Sequence, residues 1–209
     1  AGTLYVRAKG LNVNAPALPG VTSSVPGVTR ERTLTLSGTK EANTSILVNG
    51  VERVARDSST VWTATVDLTV EGSNTLSITA KNSIGKVSAV KTLKLKRDTV
   101  IPTGSINMNS GALYANTPSV TLRLVAKDTT SGIALMSFST DNASWTVPEA
   151  FAASRNFTFP DGDGAKTVFV KYYDAAGNSS AVYSKTITLD TGLPSGTITV
   201  KGGALFIPT

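Results

Sequence analysis

The chain has 209 residues, 40% apolar and 16% charged, a balance that suits one or two folded units, each with its own core. It has no cysteine and no histidine, which excludes a disulfide framework and thiolate chemistry, removes the commonest general base and metal ligand, and weighs against an enzyme. The net charge is +6, with the excess confined to residues 1–97, and no apolar run reaches the roughly 18 residues of a membrane span. Ala1 follows no signal-like stretch, so the chain reads as a mature or excised segment.

Residues 1–29 read as an extended N-terminal segment. LYVRAKGLNV could supply one or two short strands, and NAPALPGVTSSVPG is a Pro/Gly/Ser/Ala linker that either joins the first unit or reaches into a neighbour. From Arg30 the pattern has period 2. Leu34 and Leu36 alternate with Thr33, Thr35 and Ser37, and SILV runs into the hairpin signal Asn49-Gly50. In VWTATVDL, Trp62, Ala64, Val66 and Leu68 share a face. After the turn at Glu71-Asn74, Leu76, Ile78 and Ala80 extend it. A turn at Asn82–Gly85 leads to VKTLKLKR. No aromatic residues interleave its lysines, so the pattern favours a strand with a solvated face, or a lysine-guarded edge, over a polyanion-binding stripe. Residues 30–97 thus describe a small two-sheet sandwich with Trp62 at its centre.

A second unit spans residues 98–190. SVTLRLVA places Val120, Leu122, Leu124 and Ala126 on one face, IALMSFS turns Met136 and Phe138 inward, and Trp145 is expected at the centre of this core. TVFVKYYDAAGN sets Val168, Val170 and Tyr172 opposite Phe169, Lys171 and Tyr173. The two units match at an offset of 92: Gly72/Gly164, Thr75/Thr167, Gly85/Gly177, Ser88/Ser180, Ala89/Ala181 and Val90/Val182 are identical. The same offset lays Asp190–Thr209 on Asp98–Thr117 with nine of twenty pairs identical, so residues 191–209 read as the opening strand of an incomplete third repeat.

SGTKEANTSILVNG, then WTATVDL and EGSNTLSITAKN, resembles the bacterial Ig-like domains found as domain B of glucodextranases. SGIALMSFSTDNASW with DGDGAKTVFVKYYDAAGN and a closing LDT is similar to related bacterial Ig-like repeats of large surface and secreted proteins. The resemblance covers about residues 30–190. It implies an all-β fold of tandem Ig-like antiparallel sandwiches, a cell-surface or extracellular setting, and a non-catalytic stalk, spacer, adhesin arm or accessory module beside an enzyme. It names no ligand.

Acidic side chains are the only candidates for chemistry. Asp161 and Asp163 in PDGDG flank a glycine and read as turn residues. Asp98 and Asp190 open their repeats, Asp174 lies in the DAAGN turn and Asp128 in KDTTSG. With oxygen ligands alone these four are calcium candidates, although the first unit has Asn82 where the second has Asp174. No other cofactor is expected. Phe169 and Tyr173, alternating outward, are candidates for a platform that stacks on a surface glycan, to be raised by a flat exposed face and ended by burial of either ring. Partners are therefore other copies of the chain, neighbouring repeats or a glycan, with no nucleic acid. The function expected is a structural stalk or filament, with two readings of the C-terminal segment. Ile198, Val200, Leu205 and Phe206 add a strand to another copy, or the chain is an excerpt of a longer array. The alternatives are an adhesin or carbohydrate-binding module, or accessory domains of a polysaccharide-active enzyme.

Overall fold

The computed structural model describes residues 14–198 and is all-β. In the first unit, β1 (Val28–Thr29), β7 (Lys91–Arg97), β6 (Gly72–Lys81), β3 (Thr44–Val48) and β4 (Val51–Asp57) form one sheet in that order. A two-stranded sheet of β2 (Thr33–Thr39) and β5 (Val61–Asp67) faces it. The alternating residues meet between the sheets: Leu36, Ile46, Trp62, Leu68, Leu76 and Ile78 are all buried in one cluster. The β3–β4 hairpin turns on Asn49 and Gly50, both at positive φ (51° and 79°), which this sequence pair tolerates.

Residues 20–29 run along this sandwich. Gly20 and Thr39 exchange backbone hydrogen bonds (2.9 and 3.2 Å), the Trp62 indole N–H donates to the carbonyls of both, and Val21 and Val25 pack on the core. β1 then pairs in parallel with β7, so this stretch belongs with the first unit. Lysine-rich β7 lies between β6 and β1, with Leu95 buried and Lys94 and Lys96 exposed.

The second unit repeats the plan with a longer front half. β8 (Thr103–Met108) leads through a 3-10 turn at Asn109–Gly111 to β9 (Tyr114–Ala115), β10 (Ser119–Lys127) and β11 (Ile133–Ser139). Then follow β12 (Glu149–Ala150), β13 (Ser154–Thr158), β14 (Gly164–Asp174) and β15 (Tyr183–Leu189). The sheets are β13-β10-β8 and β12-β11-β14-β15-β9. Their core contains Phe138, Met136, Leu122, Leu124, Val168, Val170 and Tyr172.

Trp145 is not its centre. It is half-buried in a segment with no strand, its ring 4.1 Å from the Lys171 ammonium, and Tyr172 with Phe138 fills the place expected for it. The Tyr172 hydroxyl is satisfied by the Ser105 carbonyl at 2.7 Å, and burial, reinforced by Tyr183, raises its pKa.

The repeat extends to hydrogen bonds and turns. Ser88 and Ser180 are buried, and each accepts a backbone N–H with its hydroxyl, from Ala80 (2.9 Å) and Tyr172 (3.0 Å). Gly85 and Gly177 close matching turns at φ of 85° and 86°.

Candidate metal centre

Three carboxylates converge at the start of the second unit. Asp98 directly follows β7, and its N–H donates to the Thr29 carbonyl at 2.9 Å, which fixes where the chain leaves the first sandwich. Its Oδ1 accepts the Val100 N–H at 3.0 Å. Asp128 follows β10 and folds its loop around itself: one oxygen accepts the N–H groups of Thr130, Ser131 and Gly132 at 2.9, 2.8 and 3.1 Å. Asp174 ends β14. Its oxygens accept the Asn178 backbone N–H (2.9 Å) and side-chain amide (2.7 Å). The same amide donates to the Asp98 carbonyl at 2.9 Å, and the Ala175 N–H donates to the Gly132 carbonyl at 3.1 Å, so all three loops are tied together.

One carboxylate oxygen from each residue lies within 4.8 Å of the others. Asp98 is 0% and Asp174 3% exposed, and Asp128 is half-buried. Among the described residues no Lys or Arg pairs with any of them. The second oxygens of Asp98 and Asp128 are buried without a hydrogen-bond partner. Burial pushes the Asp128 pKa up, but the N–H groups of Ser131, Gly132 and Thr130 outweigh it and hold the carboxyl below its ordinary value. A buried group of like charges with orphaned oxygens is costly unless a cation fills it. Oxygen donors alone, in a chain without His or Cys, suit a hard ion such as Ca²⁺.

The first unit has an amide at the corresponding turn. Asn82 stands where Asp174 does, and its Oδ1 accepts the N–H groups of Ile84 (3.2 Å) and Lys86 (2.9 Å). Its amide donates to the Asn14 carbonyl at 2.8 Å, as Asn178 does to that of Asp98. The fourth candidate, Asp190, repeats the backbone habits of Asp98. Its N–H donates to Ala115 (2.9 Å) and its Oδ1 accepts the Gly192 N–H (3.1 Å). It is exposed and does not join the three.

No protein-family profile and no curated protein matches the chain. Among solved structures, the chain is similar to the fibronectin(III)-like modules of CbhA from Clostridium thermocellum (17% identity, 87% of this chain and 100% of that one, TM-score 0.49). It is also similar to the PKD1 domain of the Vibrio cholerae metalloprotease PrtV (18% identity, 44% and 100%, TM-score 0.34). A third likeness is to a 1.5-MDa bacterial ice-binding adhesin (20% identity, 85% and 66%, TM-score 0.46).

The remaining candidates fall elsewhere. Asp163 is a turn carboxylate that accepts the Thr191 N–H and hydroxyl at 2.9 and 2.8 Å. Glu71 holds Thr99 in the same way, at 2.9 Å for both bonds. This clamp recurs at the offset of 92 already visible in the Asp-Thr pairs, and it was not anticipated. Asn178 was missed as well, although it closes the DAAGN motif. Phe169 and Tyr173 are half-buried, and the Tyr173 hydroxyl lies 3.2 Å from that of Ser137. Of the assembly residues, Val200, Leu205 and Phe206 lie outside the described residues, and Ile198 is 93% exposed.

Proposed function

We propose that the chain is a non-catalytic spacer of a bacterial surface or secreted protein, built of two Ig-like domains, residues 30–97 with the stretch 20–29 packed on them and residues 98–190, with their junction set by bound calcium. The observation that carries this reading is the group of buried, partnerless carboxylate oxygens where the chain passes from one sandwich to the next. Asp98 is both the link between the sandwiches and a member of the cluster, so a cation there ties the link to two loops of the second domain. Among the described residues, the direct polar contacts across the junction are short-range at the link, where Thr99 donates twice to Glu71 at 2.9 Å and Asp98 to the Thr29 carbonyl; away from it they are exposed, Lys96 Nζ donating to the Thr130 carbonyl at 3.2 Å and Arg30 Nη1 to the Gly177 carbonyl at 3.3 Å. Exposed polar contacts of this kind add little rigidity on their own. Asp98, Asp128 and Asp174 would hold the ion, and Asn178 and the amides of residues 130–132 position their carboxylates.

Small-angle scattering of the whole chain tests the spacer reading. With millimolar calcium the distance distribution should narrow to that of one elongated particle, and a chelator should broaden it. Superimposable curves would remove the cation from the account of the junction.

A further inference from the structure

We propose that a groove on the outer face of the first sandwich, beside the junction, binds a uronate-bearing polysaccharide. The groove has a volume of about 360 Å³ and is lined by Val28, Ser73, Thr75, Lys94, Lys96 and Ser131 among others. Its floor follows from strand register. β6 and β7 pair antiparallel with Ser73 opposite Lys96 and Thr75 opposite Lys94, so two hydroxyl–ammonium pairs point out on the same face, one above the other. All four side chains are exposed, while the intervening Asn74 and Leu95 are buried.

The charges on this face are available. Neither Lys94 nor Lys96 has a carboxylate partner among the described residues, and the Lys96 ammonium is steadied by the Thr130 carbonyl. Ser131 closes the groove from the second unit, and its hydroxyl is buried with no hydrogen-bond partner. Two ammonium groups without a carboxylate partner, each beside an exposed hydroxyl on one strand face, favour a polar, anionic occupant.

Polymer chemistry narrows the choice. A single-stranded nucleic acid would draw on aromatic stacking, and no aromatic side chain lines the groove. A uronate polymer offers repeating carboxylates for the lysines and hydroxyls for Ser73 and Thr75, and needs no stacking surface. Residues 1–97 also hold the whole positive excess of the chain, which would attract such a polymer at low salt.

The test is calorimetric titration of the whole chain with hyaluronate oligosaccharides, neutral dextran and poly(dT). Hyaluronate should bind and dextran should not, and poly(dT) should be weaker at equal charge. Lys94→Gln/Lys96→Gln should weaken hyaluronate binding about tenfold, and Thr75→Val alone should weaken it measurably without a change of charge. Lys127→Gln, exposed on β10 of the other unit, should change it less than twofold. No binding by the unaltered chain, equal loss in Lys127→Gln, or poly(dT) binding as tight as hyaluronate would each overturn the assignment.

Discussion

Replacing Asp98 with Asn separates a cation site from a set of capping carboxylates. The substitution keeps the side-chain acceptor for the Val100 N–H and leaves the Asp98 carbonyl to Asn178, but it removes one of three charges lying within 4.8 Å. At that distance and an effective dielectric of about 20, each like-charge pair costs about 3.5 kcal/mol. Water reaching half-buried Asp128 reduces the net relief to about 1–2 kcal/mol. In chelator, the Asp98→Asn chain should therefore melt no lower than the unaltered one, and up to about 10 °C higher in its second transition. Calcium reverses the order. At a concentration a hundred times its Kd it adds about 2.7 kcal/mol to the unaltered chain, about 10–20 °C for a domain of this size, and nothing to the variant. The first transition should not move in either chain, because the three clustered carboxylates all belong to the second unit. Scanning calorimetry with and without calcium reads all four states. Calcium-independent melting of the unaltered chain, or a variant less stable than it in chelator, would refute the reasoning.

Further outcomes follow from the geometry. Lys40 is buried, with Nζ 2.7 Å from an Asp57 carboxylate oxygen and 2.9 and 2.8 Å from the carbonyls of Thr44 and Ser59. Lys40→Ala leaves two carbonyls without a donor and should destabilise the first unit by about 3 kcal/mol in chemical denaturation. Gly104 has no room for a side chain. A Cβ there would lie 2.5 Å from both the Tyr172 ring and the Val125 carbonyl, so Gly104→Ala should destabilise the second unit by about 1–3 kcal/mol, read as a lower second calorimetric transition. Folded-state pKa values are depressed at four carboxylates. Asp57 is held down chiefly by Lys40, and Asp141 by the N–H groups of Ala143 and Ser144. Asp163 is held down by the N–H of Thr191, and Asp128 by its loop amides against the upward push of burial. Depressed carboxylates stabilise fully above their unfolded value of about 4 and lose that contribution as pH falls through the folded values. Stability in chelator should thus stay level around pH 6 and decline below about pH 4, as followed by circular dichroism.

Much of the fold could be read from local periodicity. The inward rows of β5, β6, β10 and β14 follow strict alternation, and Asn49-Gly50 and Gly85/Gly177 mark their turns, because a strand buried on one face leaves its period in the sequence. Trp145 misled because size alone suggests a core residue, while its turn-bound segment put the ring against Lys171. Lys40 was overlooked for the opposite reason: a lone lysine beside a glutamate reads as surface, and its three acceptors come from Thr44, Asp57 and Ser59, brought together only by the β3–β4 hairpin and the turn after it. Three of the four acidic candidates meet and Asp190 does not. Spacing relates Asp190 to Asp98 along the chain, but the site depends on loops after β10 and β14 that fold back over Asp98 from within the same unit. Residues 20–29 read as a linker by composition because Pro and Gly break periodicity even where the backbone bonds to a neighbouring strand.

Equilibrium dialysis with radioactive calcium asks whether Asp98, Asp128 and Asp174 share one cation at the junction. One ion per chain should bind, lost in Asp98→Asn and Asp174→Asn and kept in Asp190→Asn. Absence of saturable binding, or one ion retained in all three variants, would contradict a shared site.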